Sequence, residues 1–198
     1  MTRIRFQRSL DELKENLLVM AGLAEQAIQR AIEAYRVRDL SICDRGSRSE
    51  NAINRLERDI DQSALDLLAM EQPMAIDLRF ILAVIKINSD LERMGDQAVS
   101  ISDRVRELQA FPIVDLPVDI PRMASLASVM IRKALQAFIE GNAEVARSVL
   151  TMDDSVDKIN ETAFFALLNL AKEQPQLTPQ ALNALMIARN LERVADHA

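Results

Sequence analysis

Two acidic pairs recur at the same spacing about a hundred positions apart. Glu92 and Asp96 lie four residues apart in Leu91-Glu92-Arg93-Met94-Gly95-Asp96-Gln97-Ala98, and Glu192 and Asp196 do the same in Leu191-Glu192-Arg193-Val194-Ala195-Asp196-His197-Ala198. On a helix, residues four apart share a face. Two carboxylates placed so repel by a few tenths of a kcal/mol. No Lys or Arg stands three or four positions from Glu92 to relieve this. A second set of stripes precedes them: Glu50, Asn54, Glu57 and Asp61 in one half, and Asp153, Asp157 and Asn160 in the other. If the start of the preceding helix lies beside the later part of the next, each half brings two short acidic stripes together. Oxygen-only ligand sets of that kind suit hard cations such as Mg, Ca, Mn or iron. Acidic residues on a helix face are most often simply solvated; the return of the same pair one repeat later is what sets these apart.

Other chemistry is poorly served. There is no Gly-rich phosphate loop, no Cys–His pair and no nucleophile elbow. His197 is the single histidine and reads as a surface side chain, so a Ser–His–Asp triad lacks its usual partners. A ferritin-like di-metal oxidase places a His three residues after a bridging Glu. Here Gly95 follows Glu92 and Ala195 follows Glu192 at that spacing, which disfavours the class. Cys43 stands alone, cannot close an intramolecular disulfide, and fits a reducing cytoplasm as a small apolar side chain. Met70, Met74, Met94, Met123, Met130 and Met186 read as packing residues.

The elements that must carry these stripes follow from composition. Four Gly and six Pro among 198 residues are too few turns for a sandwich or barrel. A net charge of −6 makes nucleic acid a poor partner. The longest strongly apolar run, Phe80–Ile85, is closed by Lys86, far short of the about 20 residues a spanning helix needs. The basic N-terminus runs into Asp11, Glu12, Lys14 and Glu15 rather than an apolar signal core. These features predict a cytoplasmic protein that meets a membrane only through a partner.

Apolar residues at helical spacing from Leu10 to Tyr35 predict a long first helix. Asp39–Ser49, containing Gly46, is expected to break it. A second helix is predicted from Glu50 to Met70, ended by Gln72-Pro73, and a third from Met74 to Leu108. Its core face is expected to hold Val84, Ile87, Leu91, Met94 and Ala98. The stretch Ala110–Pro121, with three prolines, is the expected linker. The pattern then returns: Ala31-Ile32-Glu33-Ala34-Tyr35 aligns with Ala134-Leu135-Gln136-Ala137-Phe138, and Gln72-Pro73 with Gln174-Pro175. The expected architecture is all-α: two pseudo-symmetric antiparallel three-helix bundles over residues 1–110 and 122–198, joined by a Pro-rich linker at 111–121. The sequence ends inside its sixth predicted helix, and by the repeat a longer natural protein is expected.

Taken in order, Gln72-Pro73-Met74-Ala75-Ile76-Asp77-Leu78-Arg79, Leu91-Glu92-Arg93-Met94-Gly95-Asp96 and Ala188-Arg189-Asn190-Leu191-Glu192-Arg193-Val194-Ala195-Asp196-His197 resemble the PhoU family of bacterial phosphate-uptake regulators. Met94-Gly95 and Val194-Ala195 stand where Ile-Gly is commoner. The resemblance implies a non-enzymatic cytoplasmic negative regulator of the phosphate-starvation response. It would act with the ATPase of the phosphate ABC transporter and with a phosphate-sensing histidine kinase; the amphipathic helices, for their part, lead us to expect a homodimer. It also implies surface metal sites for iron or another hard ion (Fe, Mn, Mg or Zn). Carried onto this sequence, Glu92 with Asp96 and Glu192 with Asp196 are the principal ligands, Asp153 with Asp157 and Glu50 with Asn54 their second-helix partners. Asn54 puts an amide where a carboxylate is expected, so the first site carries less charge. The alternative is a carboxylate-bridged metal-dependent enzyme or a metal-storage bundle.

Overall fold

The computed structural model describes residues 3–71 and 73–198, with 3 and 44–48 described by backbone alone. Six long helices fill it: α1 (Arg3–Val37), α2 (Leu40–Glu71), α3 (Ile76–Leu108), α4 (Ile120–Glu140), α5 (Ala143–Glu173) and α6 (Thr178–His197), with a 3-10 turn at Pro175–Leu177 before the last. Helices α1–α3 pack as one bundle and α4–α6 as a second.

The joints repeat as the helices do. Gly141 ends α4 in the left-handed region at φ 64°, and the Asn142 carboxamide oxygen then accepts from the backbone N–H of Glu144 (3.0 Å) and Val145 (3.2 Å), capping α5. In the first bundle Arg38 holds the same left-handed conformation at φ 55°, and the Asp39 carboxylate accepts from Ser41 N–H at 2.9 Å. The expected break over Asp39–Ser49 is therefore confined to Arg38 and Asp39. Gly46 lies inside α2, which begins ten residues earlier than Glu50. A glycine inside a helix costs about 1 kcal/mol, and the surrounding turns offset this by burying Cys43, Ser49 and Ile53. The third helix starts at Ile76 rather than Met74. Gln72, expected to help end α2, lies outside the described residues, and Pro73 is in the connection.

The linker also differs from expectation. Asp119 caps α4 by accepting from Arg122 N–H at 3.0 Å, and Pro121 sits in the first helical turn, where its missing N–H costs nothing. Residues 120 and 121 thus belong to the second bundle. Leu116 is buried against Ala163, Leu167, Ala181 and Ala184, so the segment is docked along α5 and α6.

One apolar core runs through both bundles, from Leu10 and Leu17 of α1, through Ile81 and Leu91 of α3, to Ile131 of α4 and Leu191 of α6. Within α3, Val84, Leu91, Met94 and Ala98 are buried as expected, and Ile87 is half-buried. Phe80 of α3 stacks on Phe138 of α4 with ring centroids 5.3 Å apart, fastening the two halves. The two repeats are therefore two bundles by chain topology and one body by packing.

Candidate metal centre

The second bundle gathers its stripes as the spacing requires. Asp153 and Asp157, one turn apart on α5, face α6, and one carboxylate oxygen from each of Asp153, Asp157 and Asp196 lies within 4.8 Å of the others. Glu192 stands one turn before Asp196 on α6, near enough for the charges of Asp196 and Asp157 to act on it. Partial burial and then the neighbouring Asp157, Asp196 and Asp154 push the Asp153 carboxyl above its ordinary value. Burial, then Asp196 and Asp157, raise Glu192 likewise.

Two oxygens in this region are buried without a hydrogen-bond partner: Asp153 Oδ1 and Asn160 Oδ1, the latter two turns along α5 from Asp153. Buried acceptors ordinarily find donors. An acidic cluster with orphaned, partly desolvated oxygens matches the donor set of a hard cation. Arg189 lies three residues before Glu192 and, with Arg193, draws its carboxyl down, though burial and the acidic neighbours prevail.

The first bundle is arranged differently. Glu92 is half-buried and raised by burial first, then by Asp96 and Glu57, with Arg93 opposing. Glu50 lines a small surface pocket with Gly95, Ala98, Val99 and Arg106, beside α3 at and beyond the Asp96 turn. Asn54 is half-buried one turn further along α2. Among the described residues, no three acidic, His or Cys ligand atoms in this bundle come as close as those of Asp153, Asp157 and Asp196. Glu57, part of the stripe but absent from the expected ligand set, is the α2 carboxylate whose charge falls on Glu92; its place at i+7 from Glu50 was the available signal. Asp61 is taken by Asn88 Nδ2, which donates to it at 2.8 Å and to the Glu57 carbonyl at 2.9 Å. Asp103, on the same face as Glu92 and Asp96, is paired with Arg106 at 2.7 Å.

The two copies meet where α3 crosses α6. Arg93, Asp96, Gln97, Arg193, Asp196 and His197 line one groove of about 310 Å³. His197, expected at the surface, is partly buried, and its Nδ1 lies 3.1 Å from Asp90 Oδ1 across the crossing.

This architecture of two repeated three-helix bundles is that of known proteins. The PhoU domain family matches residues 17–105 and again 120–198. The chain belongs to the PhoU family. Among its relatives, the phosphate-specific transport system accessory protein PhoU homologue of Clostridium acetobutylicum is 34% identical over 197 residues, covering 99% of this chain and 90% of the relative. The homologue of the same name in Pseudomonas aeruginosa is 33% identical, covering 98% of this chain and 81% of its own length. The crystal structure of PhoU from Pseudomonas aeruginosa superposes with a TM-score of 0.92 over 97% of this chain and 92% of that one, at 33% identity. The phosphate transport system regulatory protein PhoU from Streptococcus pneumoniae superposes at 0.89, with 28% identity, over 97% of this chain and 90% of its own. The PhoU repeat accounts for the duplicated helices and the single all-helical body. No described helix is long and apolar enough to cross a membrane.

Proposed function

We propose that this chain is a regulatory accessory protein of a phosphate-specific transport system. Its relatives at 33–34% identity over nearly the whole chain carry that description. In this reading it is a non-enzymatic cytoplasmic adaptor, acting as a homodimer between the ATPase of a phosphate ABC transporter and a phosphate-sensing histidine kinase. The α5–α6 patch is its stronger metal site, held by Asp153, Asp157, Glu192 and Asp196. The α2–α3 patch, from Glu50, Asn54, Glu92 and Asp96 with Glu57 added, is the weaker one. A hard ion, iron or else Mn, Mg or Zn, supplies positive charge that cancels the repulsion among these carboxylates and fastens the two helices that bear them.

The observation that carries the metal assignment is the approach of three carboxylate oxygens to within 4.8 Å beside an unpartnered, buried Asp153 Oδ1. The test is metal analysis of the purified chain beside a variant carrying Asp153→Asn, Asp157→Asn, Glu192→Gln and Asp196→Asn, together with capture of the transporter ATPase and the sensor kinase. The parent is expected to retain metal that the variant loses, and to capture both partners. Equal metal content in the two proteins would overturn the site, and a folded parent that captures neither partner would overturn the adaptor role. Turnover in a metal-oxidation assay, lost in the variant, would instead favour the metal-enzyme alternative.

A further inference from the structure

The six residues lining the groove where α3 crosses α6 are three repeat pairs: Arg93 with Arg193, Asp96 with Asp196, and Gln97 with His197. Each helix gives the same turn to one shared space of about 310 Å³. That is near the small end of the roughly 300–1,000 Å³ that ligand sites occupy. On α3 the lining stops at Gln97, although the helix runs on to Leu108. The groove is bounded by this turn and not by a helix end, and by the repeat the same holds on α6.

The donors in the groove are unspent. Arg93 and Arg193 are exposed, and among the described residues neither guanidinium forms an ion pair or a hydrogen bond. An arginine three residues before an acidic residue often pairs with it, as Arg104 does with Glu107 at 2.8 Å later on α3. Arg93 makes no such pair with Asp96, and Arg193 none with Asp196. Gln97 Oε1 is buried without a hydrogen-bond partner, and nothing among the described residues holds the Nε2 donor of that carboxamide. His197 is turned to Asp90, 3.1 Å from its Nδ1, and serves as a wall.

We propose that this groove binds a tetrahedral oxyanion of the phosphate type, held between the guanidinium groups of Arg93 and Arg193 with the Gln97 amide as a further donor. A planar guanidinium offers parallel N–H donors that match a pair of oxyanion oxygens. A tetrahedral oxyanion has a twofold axis, so it shows an equal oxygen pair to each arm of a repeated lining. Asp96 and Asp196 set how tightly it is held. Ionised and bare, they cancel the two arginine charges; with their charge removed, the groove is left doubly positive. A cation on the acidic patches therefore draws the oxyanion in, and the oxyanion tightens the cation by the same factor. The assignment to the arginines stands without a metal; the tightening by one rests on the metal reading above.

Titration calorimetry with inorganic phosphate, at low ionic strength and without metal, compares the parent with a variant carrying Asp96→Asn and Asp196→Asn. Two further proteins share that background: one adds Arg93→Gln and Arg193→Gln, the other Arg58→Gln and Arg79→Gln, exposed arginines outside the groove. The Asn pair is expected to bind phosphate about tenfold more tightly than the parent. Adding the groove substitutions is expected to weaken binding by at least about tenfold, and adding the outer ones by less than about twofold. With Mn present, sulfate is expected to bind the parent about tenfold more tightly than without it. Phosphate held more tightly than phosphoserine names a free ion as the ligand, and the reverse order names a phosphoryl group on a partner chain; both support the site. No binding by the Asn pair, or equal losses from the two arginine pairs, would overturn it. Mn uptake that leaves sulfate binding unchanged would overturn the coupling and leave the metal centre standing. If the parent takes up no Mn, the metal reading falls, and the Asn pair still decides the oxyanion site.

Discussion

A Cβ built on Gly95 stands 3.0 Å from Ile53 Cδ1 and 3.4 Å from Ile53 Cγ2, so α2 and α3 cross here closely enough that any side chain at 95 would press on Ile53. The matching positions of the second bundle hold Ala195 and Val156, both buried. One copy gives the methyl to the partner helix as Ile53, and the other gives it to α6 as Ala195. Gly95 and Ala195 each stand one residue before the Asp of an acidic pair, and the closeness of the crossing at Gly95 sets how near the acidic stripes of α2 and α3 come.

This exchange predicts a compensating pair. Gly95→Ala gains up to about 1 kcal/mol in helix propensity but forces Ile53 to move, at a cost of about 1–3 kcal/mol for overpacking. The single variant is expected to be less stable than the parent by about 1 kcal/mol. In an Ile53→Val background the same change is expected to stabilise by about 0.5–1 kcal/mol. Denaturant midpoints for the four proteins of this cycle measure the coupling, and additive effects would show that the crossing has room to spare.

The left-handed joints predict a second asymmetry. Gly141→Ala puts a Cβ at φ 64° and is expected to lower stability by about 1–2 kcal/mol, although open space surrounds the position. At the matching joint, Arg38 already bears that strain, and its guanidinium lies 5.5 Å from the centre of the Tyr35 ring. Replacing it by Gly relieves the backbone and removes a cation–π contact of about 0.5–1 kcal/mol. Arg38→Gly is therefore expected to change Tm by less than about 3 °C, whereas Gly141→Ala lowers it clearly.

The acidic patches predict an inverted pH response. Glu92 and Glu192 are raised above 4.5 and Asp153 above 3.8, in each case by burial first and neighbouring carboxylates second. Each group binds its proton more readily in the folded chain than in the unfolded one. Its contribution is fully present below the unfolded value and is lost as pH rises through the raised folded value. Without metal, the parent is expected to lose stability relative to the four-substitution variant as pH climbs from about 4 toward neutrality. If the proposed metal site holds, a hard cation takes the ionised carboxylates, and adding it is expected to reverse that trend. Melting curves at several pH values, with a chelator and with iron or Mn, measure both arms.

Single charge removal separates the two patches. Asp157→Asn is expected to raise metal-free stability by a few tenths of a kcal/mol, by relieving the repulsion one turn from Asp153, while weakening metal binding at α5–α6. Asn54→Asp restores the carboxylate at the matching position of α2 and is expected to strengthen metal uptake by the first bundle at the expense of its metal-free stability. Titration calorimetry with Mn reads both changes. Identical metal binding by Asn54→Asp and the parent would mean that this position does not face the site.

The local periodicities in the sequence were enough to determine that the protein is all-helical, that its second half repeats its first, and that Glu92 with Asp96 and Glu192 with Asp196 share a helix face. Residue spacing along one helix settles such matters without reference to any other. The convergence of Asp153 and Asp157 on Asp196 was also legible, because antiparallel neighbours in a bundle leave little choice of facing turns. The beginning of α2 at Leu40 was not, because Gly46 is a strong local breaker whose cost is met by burial of Cys43 and Ile53 against other helices. Tertiary packing alone decided that Leu116 docks on α5 and α6, that one core crosses both repeats, and that Asn88 withdraws Asp61 from its stripe. It also made the two acidic patches unequal, with three close carboxylates in one bundle and Glu57 beside Glu92 in the other. The reason is geometric: a stripe fixes direction around one helix axis, while the distance between stripes on different helices depends on the side chains at their crossing, as with Gly95 on Ile53.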